Sequence, residues 1–204
     1  MKQFKPAAAA LLLSLLAACS GGSKKVTVMA SGKISLSDDQ KTVTLTPGTT
    51  HNEKDISLTG GDKETLTVKS PDGTKTFDVP DNGYYLLNLK TDTLIGGIVR
   101  YGSTGMATNL SNEQVDNIID STQKLMAGQN ASDANQTYFI VPLTIKKITG
   151  SESAKLIGPY NGIPSSIDVD KSGKGPEMYK FFTNKQKRES LEDLTKQREK
   201  SKQQ

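Results

Sequence analysis

Residues 26–101 alternate between apolar and polar side chains, and this period of two constrains the fold more than any other feature. Val43 and Leu45 are separated by a threonine, and Leu66 and Val68 repeat the pattern. Several of these apolar positions are β-branched, and such residues suit the pleated surface of a strand. A period of two places the apolar residues on one face of a half-buried strand. The region is therefore predicted to be β-structure.

Turn sequences separate the predicted strands. Residues 70–73 (Ser-Pro-Asp-Gly) place proline and glycine where a tight turn needs them, which predicts a hairpin between strands 64–69 and 74–79. Residues 81–83 (Asp-Asn-Gly) supply the next turn. Short strands joined by frequent turns are typical of a β-sandwich or a small barrel. We expect residues 26–104 to be an antiparallel β region of a mainly β (α+β), sandwich-like body.

The apolar pattern changes in residues 105–176, which are expected to complete the body with a helix and further strands. Ser111 followed by Gln114 matches a capping box and predicts a helix over about 111–127, packed on a sheet. The apolar residues of this helix recur at helical spacing: Val115, Ile118, Ile119, Leu125 and Met126. Residues 137–149 contain an apolar run that predicts a strand.

Residues 177–204 form a charged segment with eight basic and five acidic residues. Met178, Phe181 and Phe182 are its first large apolar residues, and we expect them to dock a final helix on the body. Beyond them the segment is almost entirely polar. The sequence therefore predicts a charged tail that is helical or disordered.

The N-terminus carries an export signal. Lys2 and Lys5 precede an apolar run over residues 7–16, which is too short to cross a bilayer as a helix. Residues 16–19 (Leu-Ala-Ala-Cys) follow, and this stretch resembles the lipobox of bacterial lipoproteins. The resemblance implies cleavage after residue 18 and acylation of Cys19, so that the protein is held at a membrane by lipid.

The resemblance also implies a location. Ser20 follows the anchor, and in lipoproteins of Gram-negative bacteria a residue other than aspartate there favours the outer membrane. Residues 19–25 are then a short lipidated tether, and the body faces either the periplasm or the outside. An ordinary secretory signal cleaved near Cys19 is the main alternative. Several acyl chains would anchor the protein stably, where one chain holds only marginally.

Few residues suit metal or redox chemistry. Cys19 is the only cysteine, so the body has no thiolate for zinc, redox exchange or nucleophilic attack. His51 is the only histidine and lies in a predicted turn, where we expect it to be solvated. Residues 168–173 match the first half of an EF-hand loop, but Tyr179 stands where the bidentate glutamate is required. The sequence predicts no metal and no other cofactor.

Catalysis and nucleic-acid binding are also not expected. Asp38 and Asp39 are adjacent in a predicted turn, which suits solvation better than paired acid and base roles. The chain contains no Gly-x-Ser-x-Gly nucleophile motif. Without residues 1–18 it carries 24 basic and 22 acidic residues, which is no nucleic-acid footprint. We therefore expect a protein that is not an enzyme.

The best candidates for recognition are aromatic and amide side chains. Tyr84 lies in a predicted strand beside Tyr85, and one of the two is expected to pack inward because neighbours on a strand face opposite ways. Tyr160 and Asn161 lie in a long irregular loop over residues 158–166, where function often resides. Aromatic and asparagine side chains give contact area and hydrogen bonds at low entropic cost.

Three functions follow from these features. The first is a non-catalytic envelope lipoprotein that binds or assembles with another envelope protein, with Phe181 and Phe182 as further candidate contacts. The second is capture of a solute or glycan in a cleft lined by Tyr84, Tyr160 and Asn161. The third is an envelope hydrolase that uses carboxylates, and it has the least support.

Overall fold

The computed structural model describes residues 23–58, 63–99, 111–167, 169 and 175–202. Over these residues the protein is mainly β, with two helices and mixed sheets. The predicted signal segment, Cys19 and the first part of the predicted tether lie outside the described residues. So do five of the six residues of the EF-hand-like stretch.

The described elements run in the following chain order: β1 (Lys24–Leu36), β2 (Thr42–Leu58), β3 (Glu64–Ser70), β4 (Gly73–Val79), β5 (Gly83–Leu89), β6 (Leu94–Ile98), α1 (Asn112–Met126), β7 (Thr137–Ile140), β8 (Thr144–Thr149), β9 (Lys155–Ile157), β10 (Met178–Thr183) and α2 (Asn184–Lys202). The first sheet has the strand order β4-β3-β2-β1-β5-β8, and the second has the order β7-β6-β10-β9.

The sheets are mixed, so the expectation of a purely antiparallel region was wrong. The predicted hairpin is confirmed, because β3 and β4 pair antiparallel from Glu64 opposite Val79 to Ser70 opposite Gly73. However, β1 pairs with β5 in parallel, and so do β2 with β3 and β9 with β10. Alternation identifies a strand but does not determine its partner or direction, which distant parts of the chain decide.

The helix predicted from the capping box is confirmed. The side chain of Ser111 accepts a hydrogen bond from the Gln114 N–H, and the Gln114 side chain accepts one from the Ser111 N–H. Helix α1 contacts α2 and β7. The two helices therefore form a pair beside the second sheet, and α1 packs largely on α2.

The segment that was expected to begin the last helix is a strand. Residues 178–183 form β10 between β6 and β9, and α2 begins only at Asn184. Tyr179 and Phe181 are completely buried. A run of aromatic residues at alternate positions suits a strand better than a helix, and here the second sheet supplies the surface that covers it.

Two core clusters hold the body together. The first is drawn from residues 26–89, with Ile145 packed against it, and belongs to the first sheet. The second joins Met29 and Leu86 of the first sheet to Leu94, Tyr138 and Phe181 of the second. The packing of these clusters buries β5 on both of its faces.

A local irregularity in β2 positions the functional residues described below. Ser31 lies opposite His51, but Gly32 lies opposite Pro47, so residues 48–50 loop out of the ladder. Gly32 has a φ of 111°, and a Cβ there would collide with the backbone of β2. The close approach of the two strands at this point therefore requires glycine.

Candidate binding site

Three polar residues of β2 share one face of the first sheet. His51, Glu53 and Asp55 occupy alternate positions, and Glu53 lies opposite Met29 of the second core cluster. Residues directly opposite on paired strands point to the same side. The three side chains therefore lie on the face that carries the second cluster, at its polar border.

His51 is half-buried and hydrogen-bonded, so the expectation of a solvated turn histidine was wrong. Its Nε2 lies 2.5 Å from Glu53 Oε1, and its Nδ1 lies 3.1 Å from Lys90 Nζ. An ammonium can only donate, so Nδ1 is the acceptor beside charged Lys90 and Nε2 carries the proton that is donated to Glu53. The ring centroid is also 5.0 Å from that of Tyr160. We call His51, Glu53, Lys90, Ser31 and Tyr160 the His51 cluster.

Lys90 is the cation of the His51 cluster. Only 6% of the residue is exposed, and Nζ lies 3.2 Å from Ser31 Oγ and 5.7 Å from the centroid of Tyr160. Burial lowers the pKa of Lys90, which Asp92 and Glu53 partly offset. Asn88, itself completely buried, holds the start of the following turn because its Oδ1 accepts from the Lys90 N–H. Asn88 thus fixes the backbone of Lys90, while Ser31 and His51 fix its ammonium group.

The loop over residues 158–166 has a firmly held base. Lys180 Nζ donates to the carbonyl oxygens of Gly158 (2.5 Å) and Asn161 (2.6 Å), and Gln186 Nε2 donates to that of Pro159 (3.1 Å). The Glu53 side chain packs against Gly158 so closely that a Cβ there would overlap it. Burial lowers the pKa of Lys180, with a smaller opposing effect from Glu53.

The rest of the loop faces solvent. Tyr160 is 63% exposed and Ile163 is 45% exposed, and Asn161 is exposed beside them. Gly158 and Pro159 at the base are buried. The loop therefore presents an aromatic, an amide and an aliphatic side chain on a backbone that buried groups hold in one conformation. We call Tyr160, Asn161 and Ile163 the loop surface.

The structure brings Tyr84 and Asn161 together but separates them from Tyr160. Both line a cavity of about 620 Å³, together with Lys25, Asp55 and others, whereas Tyr160 lies against the His51 cluster. Tyr84 is nevertheless 6% exposed and belongs to the second core cluster, so it contributes mainly packing.

The hydroxyl of Tyr84 has a defined partner. Thr27 Oγ1 lies 3.2 Å from Tyr84 Oη and 2.7 Å from Asp55 Oδ1, so the single threonine proton goes to the carboxylate and Oγ1 accepts from the tyrosine. Burial is the main reason why the pKa of Tyr84 is raised. Tyr85 packs into the first cluster, so both tyrosines of the pair are buried rather than one.

Phe181 and Phe182 are not part of the loop surface. Phe181 is completely buried in the second core cluster, so the expectation that it contacts a partner was wrong. Phe182 is half-buried, and its ring lies 4.9 Å from Lys180 Nζ and 4.4 Å from Lys187 Nζ. It helps to pack α2 beside β10.

Sequence reasoning missed Lys90, Lys180 and Glu53. The spacing His51-x-Glu53-x-Asp55 was a usable signal, because a period of two puts three ionisable or polar groups on one face of a strand. No pattern among neighbouring residues identified the two lysines. Lys180 reaches the site from β10, and Lys90 reaches it from the end of β5.

Among the described residues there is no group of three or more His, Cys, Asp or Glu side chains placed to hold a metal ion. No helix in the described ranges has both the length and the apolar character needed to cross a bilayer. Comparison of the chain with protein-family models, with curated proteins and with solved structures found no match.

Proposed function

We propose that this protein is a non-catalytic lipoprotein of the bacterial cell envelope, anchored in the outer membrane by acylated Cys19, that binds another envelope protein through the loop surface. The observation that carries the binding role is the exposure of Tyr160 and Ile163 on a loop whose base is held by Lys180. The anchor rests on the lipobox resemblance of residues 16–19.

Preorganisation supports the loop surface as a contact site. Ordering a flexible loop on binding costs free energy, and a loop that is already held avoids much of that cost. Tyrosine is enriched among residues that dominate binding energies, because a large rigid ring is buried with little loss of rotamer freedom. An exposed Tyr160 on such a frame is therefore better suited to recognition than to folding.

We also infer that the two sheets form an irregular β-sandwich. Support comes from the second core cluster, which takes residues from both sheets. In this arrangement the face of the first sheet with Met29 and Leu86 packs on the face of the second with Tyr138 and Phe181.

Site-specific photocross-linking tests the binding role. The photoreactive residue p-benzoyl-phenylalanine is placed at position 160 or 163 of the full-length protein in its native cells, with position 69 on β3 as the exposed control. We expect irradiation at 160 and 163 to yield one shared covalent adduct with an envelope protein, and position 69 to yield none. Equal adducts at all three positions, or adducts with abundant neighbours alone, would overturn the proposal.

The anchor is tested separately with Cys19→Ser. Native cells fed an alkyne-labelled palmitate should transfer label to the wild-type chain and none to the variant. The variant should also leave the outer-membrane fraction. Label on the variant, or a soluble wild-type protein, would contradict the anchor without affecting the loop surface.

A second candidate function is capture of a small polar solute. It is favoured by the cavity of about 620 Å³, where Tyr84 and Asn161 converge with Lys25 and Asp55. Its size is within the range of small-molecule sites. Thermal-shift screening of polar metabolites and short glycans with the wild type and Asn161→Ala tests it, since a real ligand must raise the wild-type melting temperature more than that of the variant.

A further inference from the structure

The imidazole ring of His51 connects three separate parts of the chain. Its Nε2 lies 2.5 Å from Glu53 Oε1 on the same strand, and its Nδ1 lies 3.1 Å from Lys90 Nζ, just after β5. The ring of Tyr160 reaches it from the loop over residues 158–166. A change in the charge of His51 therefore acts on all three neighbours.

The hydrogen bonds of His51 fit only the neutral form of its ring. The bond from the Lys90 ammonium requires an acceptor at Nδ1, and a protonated ring has no acceptor. Protonation would place an N–H and a positive charge opposite the ammonium. Glu53 favours the charged ring, but it is bonded to Nε2 in both forms. The proton gained in acid therefore faces Lys90.

The Lys90 ammonium has little room to withdraw. Only 6% of the residue is exposed, and Nζ is also bonded to Ser31 Oγ (3.2 Å). Like charges at hydrogen-bond distance repel strongly where water is largely excluded. A charged His51 ring and Lys90 therefore separate.

Among the described residues, no other charged group is bonded to Nδ1. Asp92 and Glu53 favour the charged form of Lys90, which burial opposes. Lys180 donates to the carbonyl oxygens of the loop over residues 158–166 and not to the imidazole. Ser31, directly opposite His51 on β1, has a neutral side chain. None of these groups relieves the repulsion at Nδ1.

The ring of Tyr160 lies against both members of the pair. Its centroid is 5.0 Å from that of the His51 ring and 5.7 Å from Lys90 Nζ. The residue is otherwise largely exposed. When His51 and Lys90 separate, the tyrosine ring can keep only one of the two contacts, so its position must change.

We propose that His51 is a pH-sensitive latch, which holds the Tyr160 ring in place while the imidazole is neutral and displaces it when the imidazole gains a proton. Imidazole is the side chain that normally changes charge between pH 5 and pH 8. This inference rests on the proposed binding role of the loop surface, to which Tyr160 belongs. It adds that acid weakens binding at that surface.

Nuclear magnetic resonance of the full-length acylated protein in nanodiscs tests the latch without a partner. His51 is the only histidine, so ¹³C-labelled histidine reports on it alone. The second probe is 4-fluorophenylalanine at position 160, which has no ionisable group. From pH 8 to pH 5, we expect the ¹⁹F resonance to shift with the same midpoint as the histidine signal. A ¹⁹F resonance that stays constant while His51 titrates would overturn the proposal.

Two variants and a control identify the groups responsible. His51→Gln should remove the pH dependence of the ¹⁹F resonance. Lys90→Gln removes the opposing charge, so His51 should gain its proton at a pH about one unit higher, and the ¹⁹F shift should be at least halved. Lys187→Gln is the control, because Lys187 faces Phe182, and it should behave as the wild type. Wild-type titrations in Lys90→Gln would contradict the latch.

Photocross-linking from position 163 distinguishes failure of the latch from failure of the proposed function. In cells held at pH 7.5 or pH 5.5, we expect wild-type adducts to fall at least fivefold in acid and those of His51→Gln to stay constant. Equal wild-type adducts at both pH values would overturn the regulation while leaving the loop surface as a binding site. No adduct at either pH would overturn the proposed function and the regulation of binding with it.

Discussion

Lys180 Nζ lies 2.6 Å from the carbonyl oxygen of Asn161, and this bond reaches from a central strand to the exposed loop 158–166. With the companion bond to Gly158, it explains how a loop without regular structure keeps one conformation. The loop surface therefore depends on a residue that is itself buried.

Replacing Lys180 with methionine should loosen the loop. Two charge-assisted bonds disappear while the relief of a buried charge offsets part of the loss, so we expect a net destabilisation of about 1–2 kcal/mol. Amide exchange over residues 158–162 should accelerate, as measured by mass spectrometry. Lys187→Met is the control, since Lys187 contacts Phe182 and not the loop. Unchanged exchange in Lys180→Met would show that the loop is held by other contacts.

The stability contributed by Lys90 should depend on pH. Burial lowers its pKa below the 10.5 of an exposed lysine, so between the two values the unfolded chain binds more protons than the folded one. Stability then rises with pH, and the unfolding free energy of the wild type relative to that of Lys90→Met should increase as the pH rises through the folded pKa of Lys90 towards 10.5. Urea unfolding of both proteins at several pH values measures this. A constant difference would contradict burial of a charged Lys90.

The helix pair should separate when one ion pair is removed. Arg198 Nε and Nη2 each lie 2.9 Å from an oxygen of Asp116, which joins α2 to α1. Asp116→Asn should speed amide exchange in α1 and leave exchange in β1 and β5 unaffected. Asp120→Asn is the matched control on the same helix and should not have this effect.

The difference in amide exchange between the wild type and Asp116→Asn should vanish in acid. The bonds from Arg198 lower the pKa of Asp116 from 3.8, so the carboxylate stabilises the fold above that value and the contribution is lost as the pH falls through the folded pKa. Once the pH is below the folded pKa of Asp116, the wild type and Asp116→Asn should exchange at similar rates. A difference that persists there would point to packing rather than charge.

Phe181 and Phe182 should differ sharply despite being neighbours. Phe181→Ala empties a fully buried site and should cost about 3–5 kcal/mol. Phe182→Ala removes a half-buried ring between two ammonium groups and should cost about 1–2 kcal/mol. Equal costs in denaturant unfolding would contradict the placement of Phe181 in the second core cluster.

Pairing of β6 with β10 should require Gly96. A Cβ at this position would collide with the Lys180 carbonyl and with Phe181, so Gly96→Ala must push the strands apart. Gly150→Ala is the matched control, because nothing lies within 4 Å of its Cβ position. We expect Gly96→Ala to lower the melting temperature by several degrees and the control to leave it nearly unchanged. Similar melting temperatures would contradict the close packing.

The features that could be predicted were local ones. The hairpin around residues 70–73 and the cap at Ser111 are encoded within a few residues, and both are confirmed. The parallel pairing of β1 with β5 depends on strands that are distant in the chain, and alternation carries no information about it. Burial of Tyr84 together with Tyr85 also escaped prediction, because it requires both faces of β5 to be covered.

The candidate site was predictable only in part. The exposure of Tyr160 and Asn161 follows from a loop rich in glycine and proline, and both side chains are exposed. The roles of Lys90 and Lys180 do not follow from their neighbours in sequence, since a lysine in a strand or just after one is usually solvated. Their burial results from the meeting of β5, β10 and the loop, which only the folded arrangement reveals.

The late position of β10 in the chain has a consequence for the order in which the two core clusters can close. All buried members of the first core cluster lie within residues 26–89, whereas the second also requires residues 178–183, which lie between β6 and β9. Without that late segment, Met29, Tyr84 and Leu86 lack the part of their cover that Tyr179 and Phe181 supply. A chain that lacked this strand would keep one apolar face of the first sheet partly uncovered, so the last strand completes the closure of the body.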